Sequence, residues 1–289
     1  MLEKELETAI SLAKSAGESI LRFYALEIIR EEKIGVDSFS EPVTEADREA
    51  SRIITDGLAK AFPGDGILSE EEVDDSDTRL ASNRVWIIDP IDGTAGFIKK
   101  DGDFCVQIGL TENGVPVLGV ILFPARNAFY YAAKGSGSYL VENEETPVRM
   151  QVSDETDFSR MNLAVSRNHR NKNMKQIVRS FQFRKEVQRG SVGLKVGLIT
   201  ERICDIYVHL SPRTKFWDTC GPQIILEEAG GRMTDIFGQQ MRYDLLDVQN
   251  QNGIFASNGI SHELAVKKLR PILTEIGRQR LRRIPLPIY

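Results

Sequence analysis

Residues 85–88, Val-Trp-Ile-Ile, form a short, wholly apolar run rich in β-branched residues, the pattern of a buried strand. The run leads directly into two aspartates, Asp89 and Asp92, with Pro90 between them and Gly93 and Thr94 immediately after. This constrains fold and chemistry together: the strand belongs inside, and two carboxylates with no nearby base stand at its end. Downstream, FCVQIGL, VPVLGVILF, NAFYYAA and SYLVE are separated by the turn signals Glu112-Asn113-Gly114 and Gly135-Ser136-Gly137, which predicts an antiparallel meander. Upstream, Leu2, Leu6, Ala9, Ile10, Ala13, Ala16, Ile20, Leu21, Tyr24 and Ile28 recur at helical spacing, so one long amphipathic helix is expected over 2–30. A polar loop, EEKIGVDSFSEP, is expected next, then a second helix from Thr44 to Phe62-Pro63-Gly64, then an acidic loop, ILSEEEVDDSDT.

After residue 150 the pattern changes. LAVS, CDIYVHL, GRMTDIFG and GIFASN read as strands; NMKQIVRSFQ, SVGLKVGLITE, GPQIILEEAGG and HELAVKKLRPILTEIG read as helices, with Pro222 in the first turn of the third. Such alternation predicts an α/β fold. Two lobes are expected, 1–150 and 151–289, with layers of helix and sheet.

Net charge is −5, which offers no general basic surface to a nucleic-acid polymer, and the basic end RQRLRRIPLPIY reads as a solvated tail. Cys105, Cys204 and Cys220 are odd in number and far apart, so neither a disulfide framework nor a zinc site is indicated. The charged start MLEKELETAI lacks a signal-peptide core, and no apolar run reaches membrane-span length; a cytoplasmic protein is expected.

The remaining acidic residues at element ends are Glu70, Glu71 and Glu72 after ILS, Asp47 at the start of the second helix, and Asp218 in Phe216-Trp217-Asp218-Thr219. Carboxylates brought together raise each other's pKa unless a cation lies between them, and oxygen ligands suit Mg²⁺ or Mn²⁺. A tight proline-containing turn would aim Asp89, Asp92 and the Ile91 carbonyl into one space. Each piece also has a plainer reading. Asp-Pro and Asp-Gly form ordinary turns, an acidic run is usually solvated, Thr44-Glu45-Ala46-Asp47 is a capping box, and Asp218 suits a helix N-terminus.

The blocks LSEEE, WIIDPIDGTAGF and FWDTCGPQIILEEAGG, in that order and spacing, resemble the inositol monophosphatase superfamily of Mg²⁺-dependent, lithium-sensitive phosphatases. The resemblance runs from EPVTEAD to ASNG and implies the layered sugar-phosphatase fold. It implies that Glu70, Asp89, the Ile91 carbonyl, Asp92 and Asp218 hold more than one metal ion. Gly93 and Thr94 match the phosphate-binding turn. Asp47 and Thr94 match the pair that activates the attacking water, with Glu71 as a helper. The implied reaction is in-line hydrolysis of a small phosphate monoester, with inhibition by Li⁺. Homodimers are common in the superfamily, but no exposed apolar stripe marks an interface.

Within the superfamily, three segments resemble the 3'(2'),5'-bisphosphate nucleotidases more than the inositol phosphatases or fructose-1,6-bisphosphatases. Ala95-Gly96-Phe97-Ile98-Lys99 is similar to their Lys-Gly-Phe run, although Ala95 stands where they commonly have lysine. Ser191-Val192-Gly193-Leu194-Lys195 is similar to their Gly-Ser-Ser-Leu-Lys, which would make Ser191 and Lys195 substrate contacts, Lys195 serving a second phosphate. Ser166-Arg167-Asn168-His169 is similar to Ser-Arg-Ser-His, adding His169, and Arg213 is a further candidate cation. The plainer readings are a surface lysine and solvated loop residues. Two rival classes are disfavoured. A haloacid-dehalogenase phosphatase needs its second Asp two residues after the first, and a binding protein without catalysis has no support when every matched position keeps its oxygen ligand.

Overall fold

The computed structural model describes residues 2–35, 40–167 and 172–281. Its elements run α1 (Glu3–Tyr24), β1 (Glu31–Ile34), β2 (Ser40–Val43), α2 (Glu45–Ala61), β3 (Gly66–Ser69), α3 (Ser76–Ala81), β4 (Arg84–Asp92), α4 (Thr94–Lys99), β5 (Cys105–Glu112), β6 (Val115–Phe123), β7 (Ala128–Ala133), β8 (Gly137–Glu142) and β9 (Val148–Arg149). They continue with β10 (Asn162–Ser166), α5 (Lys172–Phe181), β11 (Lys185–Arg189), α6 (Val192–Thr200), β12 (Ile206–His209), α7 (Phe216–Glu228), β13 (Arg232–Thr234), β14 (Ile254–Ser257) and α8 (His262–Glu275).

The expected meander is present. Strands β4 to β9 pair antiparallel in sequence order, and β3 adds parallel to β4, giving a seven-stranded sheet in the order β3-β4-β5-β6-β7-β8-β9. Asn113 and Gly114 both take positive φ at the β5–β6 turn, the requirement of a two-residue hairpin loop. A second, five-stranded sheet has the order β11-β10-β12-β14-β13.

The layers follow from which faces are apolar. Ala9, Ala13, Ala16 and Ile20 of α1 and Ala46, Ala50, Ile54 and Leu58 of α2 recur every three or four residues and pack with Trp86, Ile88, Val106 and Ile108 on one face of the large sheet. On its other face Cys105 and Ile121 meet Leu194 of α6 and Ile224 of α7. Val196 and Ile199 of α6 and Leu226 of α7 pack in turn with Ala164, Tyr207 and Ala256 of the small sheet. The far face of that sheet, Leu163, Val165, Ile206 and Val208, is covered by α5 and α8. Helices α6 and α7 therefore lie between the two sheets and are apolar almost all round.

Several local expectations are corrected. The first helix ends at Tyr24, not near residue 30: Tyr24 packs on Phe97 and Phe104, whereas Leu26 and Ile29 beyond it are exposed and have no core to cover. Part of the expected polar loop is a hairpin, β1 paired with β2, whose mostly exposed first strand carries no apolar alternation to betray it. ILS is strand β3 rather than acidic loop. The edge strand β11 is mostly exposed and was likewise silent in the sequence. Helix α7 opens at Phe216, so Asp218 lies inside its first turn and Pro222 in its interior. The capping role of Asp218 outweighs the preference of proline for a helix start.

Helix α7 rests unusually close to the large sheet. A Cβ at Gly119 would lie 2.5 Å from the Gly221 carbonyl oxygen, and one at Gly109 would lie 2.6 Å from Cys220 Sγ. Gly119→Ala is expected to destabilise the protein by about 1–3 kcal/mol, the cost of overpacking. Gly64→Ala, with nothing within 4 Å of the new methyl, is expected to stay within about 0.5 kcal/mol in urea unfolding. Equal effects would show that α7 can retreat from the sheet.

Candidate active site

Side chains three residues apart on a regular strand point to opposite faces. Asp89 pairs opposite Gln107, yet Asp92 pairs opposite Cys105, so β4 carries one extra residue between them. This bulge brings both carboxylates to the same side, facing α6 and α7. DPID is thus the bulged end of a strand and not the free-standing turn expected. Gly93 follows with φ 96°, and a Cβ there would come 2.6 Å from the Asp103 carbonyl oxygen, so only glycine lets the chain turn into α4.

Helix α7 delivers the third carboxylate. Asp218 Oδ2 accepts the Lys215 N–H at 2.6 Å, while Asn250 Nδ2 donates to the Lys215 carbonyl at 2.8 Å and holds that corner. Oxygens of Asp89, Asp92 and Asp218 all lie within 4.8 Å of one another. Asp92 Oδ2 accepts from the Gly193 N–H at 3.1 Å and from Gln107 Nε2. Asp89 Oδ1 is buried with no hydrogen-bond partner. Burial first, then the charges of Glu70, Asp92 and Asp218, push the Asp89 carboxyl well above its usual range. Burial and Asp92 do the same to Asp218, against the opposing Lys215 N–H. A compact group of acidic oxygens, buried at Asp89 and Asp92 and half-buried at Asp218, with one oxygen lacking any donor, has the chemistry of a hard-cation site.

Asp47 is buried at the third position of α2, and its two oxygens divide its two expected roles. Oδ2 accepts the Thr44 N–H at 2.8 Å and the Thr44 hydroxyl at 2.6 Å, completing the cap. Oδ1 accepts from Thr94 Oγ1 at 3.3 Å. That hydroxyl has a second acceptor in reach, the Ile91 carbonyl at 3.2 Å. Burial raises Asp47 to about 6.

Glu70, Asp89, Ile91, Asp92, Gly93, Thr94, Lys195, Arg213 and Asp218 all line one cleft of about 390 Å³. Lys195 is no surface lysine. It is fully buried, its Nζ donates to the Gly190 carbonyl at 2.9 Å, and burial lowers it to about 8 against the pull of Asp92 and Asp218. Ser191 caps α6 instead, accepting the Leu194 N–H at 3.0 Å beside Cys105, and is not among the residues lining the cleft. His169 lies outside the described residues. Sequence reasoning missed Lys33. From β1 it donates to Glu70 at 2.9 Å and also to Glu71. Burial disfavours its charge but the two glutamates outweigh that and raise its pKa. Burial and Glu70 hold Glu71 up at about 7 despite Lys33. Gln107 was also missed, although a lone amide within FCVQIGL was a signal. Trp217 packs in the core between the sheets and also borders the cleft.

The raised Asp47 carboxyl stabilises the fold while protonated. That contribution is complete below its unfolded value of 3.8 and is lost as pH rises through about 6. In EDTA-treated protein, thermal unfolding of the wild type is expected to lose more stability between pH 3.8 and about 6 than that of Asp47→Asn. Parallel pH profiles would remove burial as the cause.

Residues 1–274 match the model of the inositol monophosphatase family. The 3'(2'),5'-bisphosphate nucleotidase CysQ of Escherichia coli K12 is 32% identical over 240 residues, covering 82% of this chain and 93% of that protein. A fructose-1,6-bisphosphatase/inositol-1-monophosphatase of Thermotoga maritima is 32% identical over 273 residues, covering 94% and 98%. Among solved structures, the Thermotoga maritima IMPase superposes with a TM-score of 0.78 at 30% identity, covering 94% of this chain and 99% of that one. CysQ of Bacteroides thetaiotaomicron superposes with a TM-score of 0.74 at 29% identity, covering 89% and 98%.

Proposed function

The chain belongs to the inositol monophosphatase family of metal-dependent phosphatases, and we propose that it removes the 3'-phosphate of adenosine 3',5'-bisphosphate. The observation that carries the hydrolase reading is the gathering of Asp89, Asp92 and Asp218 in one cleft with Glu70 and with Thr94, which is bonded to Asp47. Glu70, Asp89, Asp92, Asp218 and the Ile91 carbonyl would hold divalent cations, Mg²⁺ in this reading with Mn²⁺ as the alternative. When bound, such ions neutralise phosphate charge and acidify water.

The chain's own groups do the rest. The Thr94 hydroxyl gives its one proton to Asp47 Oδ1 and so presents a lone pair to a water in the cleft. Asp47, already engaged by Thr44, is fixed in orientation and holds the proton that Thr94 relays. Glu71 stands by as a second acceptor. Gly93 lets a phosphate oxygen approach the backbone. Neither histidine nor cysteine is needed as nucleophile; all three cysteines are buried, and burial raises each thiol.

The nucleotide preference is supported by Lys195 and Arg213 lining the same cleft, cations that a single-phosphate ester would not require. The Thermotoga relative favours the other reading, inositol 1-phosphate or fructose 1,6-bisphosphate, and the assay below decides between them. The two-lobe division at residue 150 belongs to the same proposal: the first part would supply Asp47, Glu70, Asp89, Asp92 and Thr94, the second Asp218 and the substrate cations. Among the described residues no helix is long and apolar enough to cross a membrane.

Phosphate release from adenosine 3',5'-bisphosphate, inositol 1-phosphate and fructose 1,6-bisphosphate, with Mg²⁺ and with EDTA, tests both levels. Turnover is expected to vanish in EDTA and kcat/KM to favour the nucleotide. Loss of an outer-shell partner commonly costs 10–100-fold, so Asp89→Asn is expected to lower kcat by more than about 100-fold. Turnover surviving EDTA, or a change of only a few-fold in Asp89→Asn, would sink the metal mechanism. Lys195→Ala is expected to lower kcat/KM for the bisphosphate about tenfold more than for a monophosphate ester, and equal losses would withdraw the second-phosphate role.

A further inference from the structure

Two turns of main chain border the catalytic cleft, Gly93-Thr94 after β4 and Gly190 before α6. Asp103, in the loop between α4 and β5, touches both. A Cβ on Gly93 or on Gly96 would come within 2.6 Å of its carbonyl oxygen, so its main chain packs against the turn assigned to phosphate. Its carboxylate reaches the second turn, where Oδ2 accepts the Gly190 N–H at 3.3 Å. The Gly190 carbonyl in turn accepts from Lys195 Nζ at 2.9 Å. A continuous chain of contacts thus runs from Asp103 through Gly190 to an ammonium that lines the cleft, while Asp103 itself is not among the lining residues.

Resting on the hydrolase reading above, we propose that Asp103 is a positioning residue: it fixes the Lys195 ammonium relative to the Gly93-Thr94 turn and so sets how well the cleft holds a ligand's negative charge. A lysine head is a compact charge on a flexible stem, and it stays in one place only where an acceptor aims it. The Tyr207 ring, with its centroid 5.1 Å from Lys195 Nζ, attracts the charge without fixing its direction, and the Gly190 carbonyl supplies the directed contact. Gly190 has no side chain to restrict its main chain, so the aim of that carbonyl depends on what its N–H meets. The acceptor it meets is itself held. Asp103 Oδ2 lies 3.2 Å from Arg167 Nη2 and Oδ1 lies 3.9 Å from Arg126 Nη2, and the side chain is only 14% exposed. Arg167 is fixed in turn by Asp101 at 2.6 Å. An ionised acceptor makes the stronger kind of hydrogen bond, and here it is oriented before any ligand arrives.

Asp103→Ala and Lys195→Ala, made singly and together, form a double-mutant cycle read as kcat/KM for adenosine 3',5'-bisphosphate with Mg²⁺. Asp103→Ala is expected to lower kcat/KM at least about fivefold, mainly through KM, but less than about twofold once Lys195 is already alanine. Asp103→Asn keeps an oxygen for the Gly190 N–H and is expected to recover most of the loss. A residue that only held its loop together would cost the same in both backgrounds, so equal losses overturn the proposal. Asp103→Glu, which keeps the charge but displaces the oxygens, carries the cycle if the alanine variant does not fold. A second readout needs no substrate: the rate at which acetic anhydride acetylates Lys195, followed for each lysine by mass spectrometry. Release of the ammonium from its anchor is expected to raise that rate at least about threefold in Asp103→Ala while Lys33 changes little. An unchanged rate at Lys195 overturns the proposal and leaves the hydrolase intact. Absence of Mg²⁺-dependent turnover on every ester overturns the hydrolase reading, and the labelling alone then decides the role of Asp103.

Discussion

Mutual repulsion among the clustered carboxylates of Asp89, Asp92 and the half-buried Asp218 is the constraint on which this architecture turns. Their oxygens approach within 4.8 Å, where two ionised carboxylates repel by on the order of 3 kcal/mol at an effective dielectric of about 20. Relief is only partial: Asp92 and Asp218 accept hydrogen bonds, but Asp89 Oδ1 has no donor. Packing must therefore hold the groups together against their charge. Asp89 and Asp92 are fixed by a strand buried on both faces, and Asp218 by a helix clamped between two sheets. The close seating of α7 over Gly109 and Gly119 brings Asp218 within reach of the β4 bulge.

Each layer contributes to the site without being part of it. The α1/α2 layer brings Asp47 in from one side, already oriented by its own cap. Helix α6 offers the Gly193 N–H to Asp92 from the other side. The loop before β14 reaches back through Asn250 to fix the corner from which α7 starts. The Arg167 guanidinium, 2.6 Å from Asp101 and 3.2 Å from Asp103, ties the loop after α4 to the end of β10 along the cleft's edge. A site at the meeting point of several layers has little freedom to expand, which keeps like charges close and makes a divalent cation the natural counterpart.

How much of this was legible in the sequence depends on what kind of information each feature carries. Strand β4 and the meander were readable because burial on both faces leaves unbroken apolar runs, and Asn113-Gly114 announces its own turn. Asp47 was readable as a cap from Thr44 alone. The bulge was not, because Pro90 beside an aspartate looks the same in a turn as in a bulged strand, and only pairing with Gln107 and Cys105 separates the two. The β1–β2 hairpin was invisible for a related reason: most of β1 is exposed, so it has no hydrophobic pattern, and Lys33 on it finds Glu70 and Glu71 only through tertiary contact. Lys195 shows the reverse error. A lysine in a helix is ordinarily at the surface, but α6 lies between two sheets and has no surface side to offer.

Those two lysines complete the electrostatic argument. The chain carries tethered cations of its own near the acidic residues: Lys33 against Glu70 and Glu71, Lys195 acting on Asp92 and Asp218 from its anchor on the Gly190 carbonyl. They ease the repulsion at the edges of the cluster, and a single ammonium charge on a flexible stem can do so without filling a coordination site. Neither donates to Asp89, whose Oδ1 is buried without a partner. Two ammonium groups are set against Glu70, Glu71, Asp89, Asp92 and Asp218, and the negative charge they leave uncompensated is a hard, multiply charged cation's share of the work.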